Sequence, residues 1–228
     1  MTPRSTPATM TERLRAARVV PVITIDDPDD AVPLAHALSA GGLACAEITF
    51  RTARAAEAIR RITAEAPDLL AGAGTVLTPA QVDTARDCGA QFIVAPGFNR
   101  RVVEHCLSVG LPVYPGIATP SEVEAALELD LTTLKFFPAE PMGGLSYLKA
   151  IAAPFVGVNF MPTGGINAAN VASYLAFDRV VACGGSWMAP ADWIAAKQFD
   201  RIREESRRAA DIAHGRAPSM TAKAGVLA

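Results

Sequence analysis

The chain has 228 residues, half of them hydrophobic, with 21 Lys and Arg against 23 Asp and Glu and a formal net charge of −2 at pH 7. That length can bury one sizeable core, and a chain with no overall basic field is expected to meet a small-molecule ligand rather than nucleic acid. Met1 to Thr9 lacks the apolar core of a signal peptide, and no apolar run approaches the roughly 20 residues that span a bilayer, so a cytoplasmic protein with no membrane partner is expected. Cys45, Cys88, Cys106 and Cys183 form no CxxC pair, a pattern of buried free thiols in a reducing compartment rather than a zinc site, and no metal is expected.

An amphipathic segment from about Thr9 to Arg18 comes first. Short β-rich runs then recur at Val19–Ile25, Cys45–Phe50, Leu70–Gly74, Phe92–Pro96, Pro112–Ile117, Thr133–Pro138, Asn159–Thr163 and Val180–Gly185, with helical patterns between them. Strict alternation implies parallel strands with helical crossovers, and eight units is the number that closes a (β/α)8 barrel. Asp27-Pro28 opens the first crossover helix and Gly41-Gly42 closes it. Thr78-Pro79 begins the helix that ends near Cys88-Gly89, and Thr119-Pro120-Ser121-Glu122 begins the one after the fifth strand. Ala191 to Ala213 reads as one helical extension. The expected architecture is therefore α/β: a single TIM-barrel domain over 1–228, the barrel itself at about 19–187, with an N-terminal helix, a C-terminal helical extension and loose ends at 1–8 and 215–228.

Barrel chemistry gathers at the C-terminal ends of the strands. Lys135 stands inside the apolar run Thr133-Leu134-Lys135-Phe136-Phe137-Pro138, and the chain holds only four lysines against 17 arginines. Burying an ammonium is costly, and desolvation favours the free amine, which attacks carbonyls. Lys135 is thus a candidate Schiff-base nucleophile, the other reading being a lysine that snorkels out of a strand end. Glu47 lies in the second strand, where a carboxylate either pairs with Lys135 or Arg51 or moves protons. The second and sixth strands are both even and roughly opposite, so Glu47 and Lys135 can face one another across the interior.

Arg51 ends the second strand and Thr75 the third. An arginine fork matches a carboxylate with two parallel hydrogen bonds, so the two can hold a substrate carboxylate, unless Arg51 is only a surface ion-pair partner. Pro162-Thr163-Gly164-Gly165-Ile166 follows the seventh strand and Gly184-Gly185-Ser186-Trp187 the eighth. Paired glycines at those adjacent ends suit a phosphate site built from the two loops and a following helix N-terminus, although turn geometry alone also explains a Gly-Gly pair. Pro96 and Pro115 finish the fourth and fifth strands. His36, His105 and His214 fall on helices or the tail, and none is read as catalytic.

In that order these segments, Glu47-Ile48-Thr49-Phe50-Arg51-Thr52, Gly72-Ala73-Gly74-Thr75-Val76, Lys135-Phe136-Phe137-Pro138-Ala139-Glu140, Pro162-Thr163-Gly164-Gly165-Ile166 and Gly184-Gly185-Ser186-Trp187, resemble the class I aldolases acting on 2-keto-3-deoxy-6-phosphogluconate (KDPG) and 4-hydroxy-2-oxoglutarate (KHG). The resemblance runs from about Val19 to Arg203. It implies a (β/α)8 barrel, a homotrimer, and cleavage of KDPG to pyruvate and glyceraldehyde 3-phosphate, with KHG giving pyruvate and glyoxylate. It also implies Lys135 as Schiff-base lysine, Glu47 as proton-transfer carboxylate, Arg51 and Thr75 on the pyruvoyl carboxylate, and Gly164, Gly165, Gly185 and Ser186 on the phosphate. Pro96, Pro115, Phe137 and Thr163 then form pocket walls. No cofactor or metal is implied beyond the covalent imine. Phe50 and Ala95 depart from the family's commoner leucine and serine, and Thr163 sides with the gluconate-type enzymes over their 6-phosphogalactonate-type siblings. Three other readings stay open: the 6-phosphogalactonate-type sibling aldolase, a phosphate-binding barrel isomerase or epimerase with Glu47 as base, and a phosphosugar sensor without turnover.

Overall fold

Strand and helix alternate along the chain as the spacing of its β-rich runs predicts. The structure, a computed structural model, describes residues 7–216. Its strands are β1 (Val19–Ile23), β2 (Cys45–Thr49), β3 (Leu70–Gly74), β4 (Ile93–Val94), β5 (Val113–Tyr114), β6 (Gly116–Ile117), β7 (Thr133–Phe136), β8 (Asn159–Pro162) and β9 (Cys183–Gly185). They form a six-stranded parallel sheet in the order β5-β4-β3-β2-β1-β9 and a three-stranded parallel sheet, β6-β7-β8. Nine segments stand where eight are expected because Pro115, with no N–H to give the ladder, divides the fifth. The chain changes partner there: Val113 and Tyr114 pair with β4, whereas Gly116 and Ile117 pair with Lys135 and Phe136 of β7. The eighth run makes only an isolated bridge at Val180, to Phe160, before entering the ladder at Cys183; a second bridge joins Thr163 to Gly184.

The helices are α1 (Pro7–Ala17), α2 (Ala31–Ala40), α3 (Ala55–Glu65), α4 (Pro79–Asp87), α5 (Arg100–Ser108), α6 (Pro120–Leu127), α7 (Gly144–Ala152), α8 (Val171–Leu175), α9 (Ala191–Ala195) and α10 (Phe199–Ala213). Thr78 accepts from the Gln81 N–H at the head of α4, and Thr119 and Glu122 form a capping box on α6, each with proline at the first helical positions. Asp27 caps a 3-10 turn at Pro28–Asp30 rather than α2 itself. The expected continuous extension from Ala191 to Ala213 is broken between α9 and α10, where Lys197 takes a left-handed φ of 55° and brings its ammonium 3.8 Å from the buried carboxylate of Asp30. α1 begins at Pro7, inside the stretch expected to be loose. At the other end Arg216 is paired to Asp211 at 2.9 Å. The remainder of both expected loose ends lies outside the described residues. No helix among the described residues is long and apolar enough to cross a membrane.

Alternate strand residues enter two apolar clusters. Val19 and Ile23 join the larger one under the helices, while Val20 joins Met10 and Leu14 of α1, Leu70, Phe92, Tyr114 and Met161 in the smaller. The four cysteines are free and buried, and burial pushes the Cys45 and Cys183 thiols up to about 12.

Helices α2 and α10 meet backbone to side chain. A Cβ built on Gly41 would lie 2.4 Å from the Ser206 Cβ and 2.7 Å from the Arg203 carbonyl oxygen, and the Ser206 hydroxyl is buried without a hydrogen-bond partner among the described residues. Gly41→Ala is therefore expected to cost about 1–3 kcal/mol through overpacking. Ser206→Ala should hold or raise stability, because it removes a buried hydroxyl that makes no bond. Thermal melts of the two variants check both signs; equal melting temperatures would contradict this account of the contact.

Candidate active site

β2 and β7 carry the two charged groups that the sequence places inside apolar runs. Glu47 pairs in register with Val22 of β1 and Gly72 of β3, and Lys135 with Gly116 of β6 and Met161 of β8. Their side chains are 1% and 6% exposed at those positions, and Lys135 Nζ lies 3.6 Å from Glu47 Oε1. The separation is a charge pair beyond hydrogen-bonding distance. Neither Glu47 carboxylate oxygen accepts a hydrogen bond from another described group, so both lone-pair sets remain open to a substrate hydroxyl or a bridging water. The Lys135 ammonium also sits 5.0 Å from the centroid of the Phe137 ring.

Gly74 sets the place of the carboxylate. A Cβ there would fall 2.1 Å from Glu47 Oε1 and 2.5 Å from its Cγ. Gly74→Ala must therefore displace Glu47, and a misplacement of this kind is expected to lower kcat about tenfold or more. Gly97→Ala is the control, since no atom lies within 4 Å of the added carbon. Equal turnover in the two variants would show that the position of Glu47 does not matter. The next residue, Thr75, holds a left-handed φ of 56°, an outlier for a β-branched side chain, fixed between the backbone bonds Phe50 N–H to Gly74 O (2.7 Å) and Val76 N–H to Val94 O (3.4 Å).

A cavity of about 350 Å³ opens at these strand ends, and Arg51, Phe137, Thr163, Gly164, Gly165, Gly185 and Ser186 all line it. Arg51 is the charged residue of that lining, so the mouth is electropositive, and Phe137 bridges it to the Lys135 amine. Gly164 and Gly165 hold consecutive left-handed φ values of 100° and 81°. Glycine takes such a pair of conformations without a Cβ penalty and leaves the backbone N–H groups of the loop open to close approach by an oxyanion. The anion-binding potential belongs to the loops: α8 begins only at Val171, and both α8 and α9 are five residues long.

Thr75, Pro96 and Pro115 do not line the cavity, and neither do Glu47 and Lys135, which adjoin it through the Phe137 ring over the lysine. The Pro115 carbonyl instead accepts the Lys135 N–H at 2.9 Å, and the Pro96 carbonyl lies against Gly116, so both prolines shape the backbone flanking the lysine. Val22 and Thr24 at the end of β1 are lining residues that sequence reasoning passed over. Reading the first strand's end like the others would have found Thr24, whose hydroxyl is 3.0 Å from that of Thr49. A larger cavity of about 500 Å³ lies at the opposite strand ends, beside α1, and contains none of the expected site residues. Among the described residues no three His, Cys, Asp or Glu side chains are grouped to hold a metal ion.

A buried amine facing an uncommitted carboxylate, next to an arginine-bearing, glycine-lined mouth, is the equipment of an imine-forming lyase acting on an anionic carbonyl compound. The chain belongs to the KDPG and KHG aldolase family, whose model matches residues 10–205. The 2-dehydro-3-deoxy-phosphogluconate aldolase of Treponema pallidum (strain Nichols) is 52% identical over 204 residues, covering 90% of this chain and 97% of that protein. The crystal structure of KDPG aldolase from Legionella pneumophila, with pyruvate captured at low pH as a covalent carbinolamine intermediate, aligns with a TM-score of 0.83 at 40% identity, over 86% of this chain and 96% of that one. The Zymomonas mobilis ZM4 2-keto-3-deoxy-6-phosphogluconate aldolase with 3-phosphoglycerate aligns with a TM-score of 0.81 at 40% identity, over 87% and 93%.

Proposed function

We propose that the chain is a class I aldolase that cleaves KDPG to pyruvate and glyceraldehyde 3-phosphate, and KHG to pyruvate and glyoxylate. The observation that carries the reading is the buried Lys135 Nζ at 3.6 Å from a Glu47 carboxylate whose oxygens are otherwise uncommitted. Lys135 attacks the C2 ketone, and loss of water leaves a protonated imine, an electron sink for the C3–C4 bond. Glu47, directly or through a water, takes the C4 hydroxyl proton as that bond breaks and the aldehyde leaves. The electron pair of the broken bond forms an enamine, which is protonated at C3, and water then hydrolyses the imine to release pyruvate and the free amine. The iminium supplies the charge stabilisation, so this reading calls for no metal or other cofactor.

In this reading Arg51 and Thr75 bind the pyruvoyl carboxylate, Gly164, Gly165, Gly185 and Ser186 bind the phosphate, and Phe137, Thr163, Pro96 and Pro115 shape the pocket. The shared cavity supports this for all but Thr75, Pro96 and Pro115, which rest on the family resemblance and on their places beside Gly74 and Lys135. We read the two sheets as one (β/α)8 barrel over about 19–187 in a single domain, β5 and β6 being one strand interrupted at Pro115; the bridges between the β8 and β9 segments support closure. A homotrimer is carried over from the family and would be removed by a monomeric mass in solution. A cytoplasmic location is supported by the four free thiols. The test is a coupled assay of pyruvate release from KDPG and from KHG. Stoichiometric pyruvate and aldehyde are expected, and isomerisation of a phosphosugar without carbon–carbon cleavage would overturn the proposal.

A further inference from the structure

Three consecutive carbonyl groups of the loop after β8 are held by groups that do not line the cavity. Thr163 O accepts from the Ala139 N–H at 2.8 Å and Gly164 O from the Glu140 N–H at 3.0 Å. Gly165 O accepts from two side chains, Asn167 Nδ2 at 3.2 Å and Asn170 Nδ2 at 3.1 Å. The first two bonds are backbone to backbone and any sequence can make them; only the third depends on side-chain identity.

The two amides are themselves fixed. Asn170 Oδ1 accepts the Asn167 N–H and Asn167 Oδ1 accepts the Ala169 N–H, each at 2.8 Å. With each oxygen engaged, each NH2 end is left for Gly165. In a trans peptide C=O and N–H point in opposite directions, so holding the Gly165 carbonyl outward turns the Ile166 N–H the other way, toward the cavity that Ile166 lines. Glycines at φ 100° and 81° resist a peptide flip only weakly, and a flipped Gly165 would present a carbonyl to an incoming anion.

We infer that Asn167 and Asn170 are positioning residues that hold the Gly165–Ile166 peptide in its anion-accepting orientation, and through it set the preference for substrates ending in a phosphate. The inference rests on the phosphate reading of this cavity given above. It is tested with Asn167→Ala, Asn170→Asp and the Asn167→Ala/Asn170→Ala double variant. Three quantities are measured: KM and kcat for KDPG, inhibition by inorganic phosphate, and the pyruvate concentration for half-maximal borohydride trapping on Lys135. The double variant is expected to raise KM for KDPG about tenfold, the effect of losing one well-placed hydrogen bond to a charged group, with kcat within about twofold. Inhibition by inorganic phosphate should weaken by the same factor, while half-saturation by pyruvate, which carries no phosphate, stays put. Asn170→Asp keeps the acceptor for the Asn167 N–H, so the loop remains folded, but sets a carboxylate oxygen against the Gly165 carbonyl in place of a donor, so it should raise KM for KDPG at least as far as Asn167→Ala. An unchanged KM for KDPG, or parallel losses toward KDPG and pyruvate, would overturn the inference. If wild-type enzyme cleaves KDPG yet ignores inorganic phosphate, the anion site itself is wrong and the positioning role falls with it.

Discussion

Lys135→Met is expected to reduce turnover of KDPG to background, a loss of about 10⁴-fold or more, the scale on which removing the nucleophile of a covalent mechanism acts. Methionine is close in volume and keeps contact with the Phe137 ring, so the pocket survives while the amine is gone. The substitution also leaves the Glu47 carboxylate, 1% exposed, without its ion-pair partner. Breaking a buried pair from one side costs about 3–5 kcal/mol, so the variant should melt below wild type. Adding Glu47→Gln should restore part of that stability and none of the activity, which separates the catalytic loss from the structural one. A Lys135→Met enzyme with near-normal turnover would take the lysine out of the mechanism.

Glu47→Gln alone should slow the proton-transfer steps about a hundredfold or more, the usual worth of a positioned general base. Glutamine keeps the side-chain volume and the close approach to Gly74, so the substitution changes proton acceptance more than geometry. Pyruvate should still be trapped on Lys135 while aldehyde release becomes slow, as single-turnover kinetics can show. An unchanged rate would leave Glu47 as no more than the structural partner of a buried lysine.

Much of this was legible from local chemistry. Thr78-Pro79 and Thr119-Pro120-Ser121-Glu122 announce helix starts because a capping side chain and a proline act within one turn. Lys135 and Glu47 announce themselves because a charge in an apolar run needs a reason, and the parity of their strands put them face to face. What escaped depends on contacts between distant segments. Pro115 reads as a strand terminator, yet it is a point where the chain passes from β4 to β7 as ladder partner, and that follows from the packing of neighbours 20 residues away on either side. The break at Lys197 comes at a left-handed residue whose ammonium lies 3.8 Å from Asp30, far off in sequence, a contact that the local pattern does not announce. The left-handed Thr75 goes against local preference and is held by bonds from Phe50 and Val76. Asn167 and Asn170 look like ordinary turn residues until their amides are seen to converge on one carbonyl.

The central claim is that the Lys135 amine forms an imine with a 2-keto acid. Incubation with pyruvate, reduction with borohydride and peptide mass spectrometry, beside a control without pyruvate, test it directly. The account predicts a stable adduct on Lys135, absent from the control and from Lys149 and Lys197. Folded protein in which Lys135 stays unmodified would contradict it.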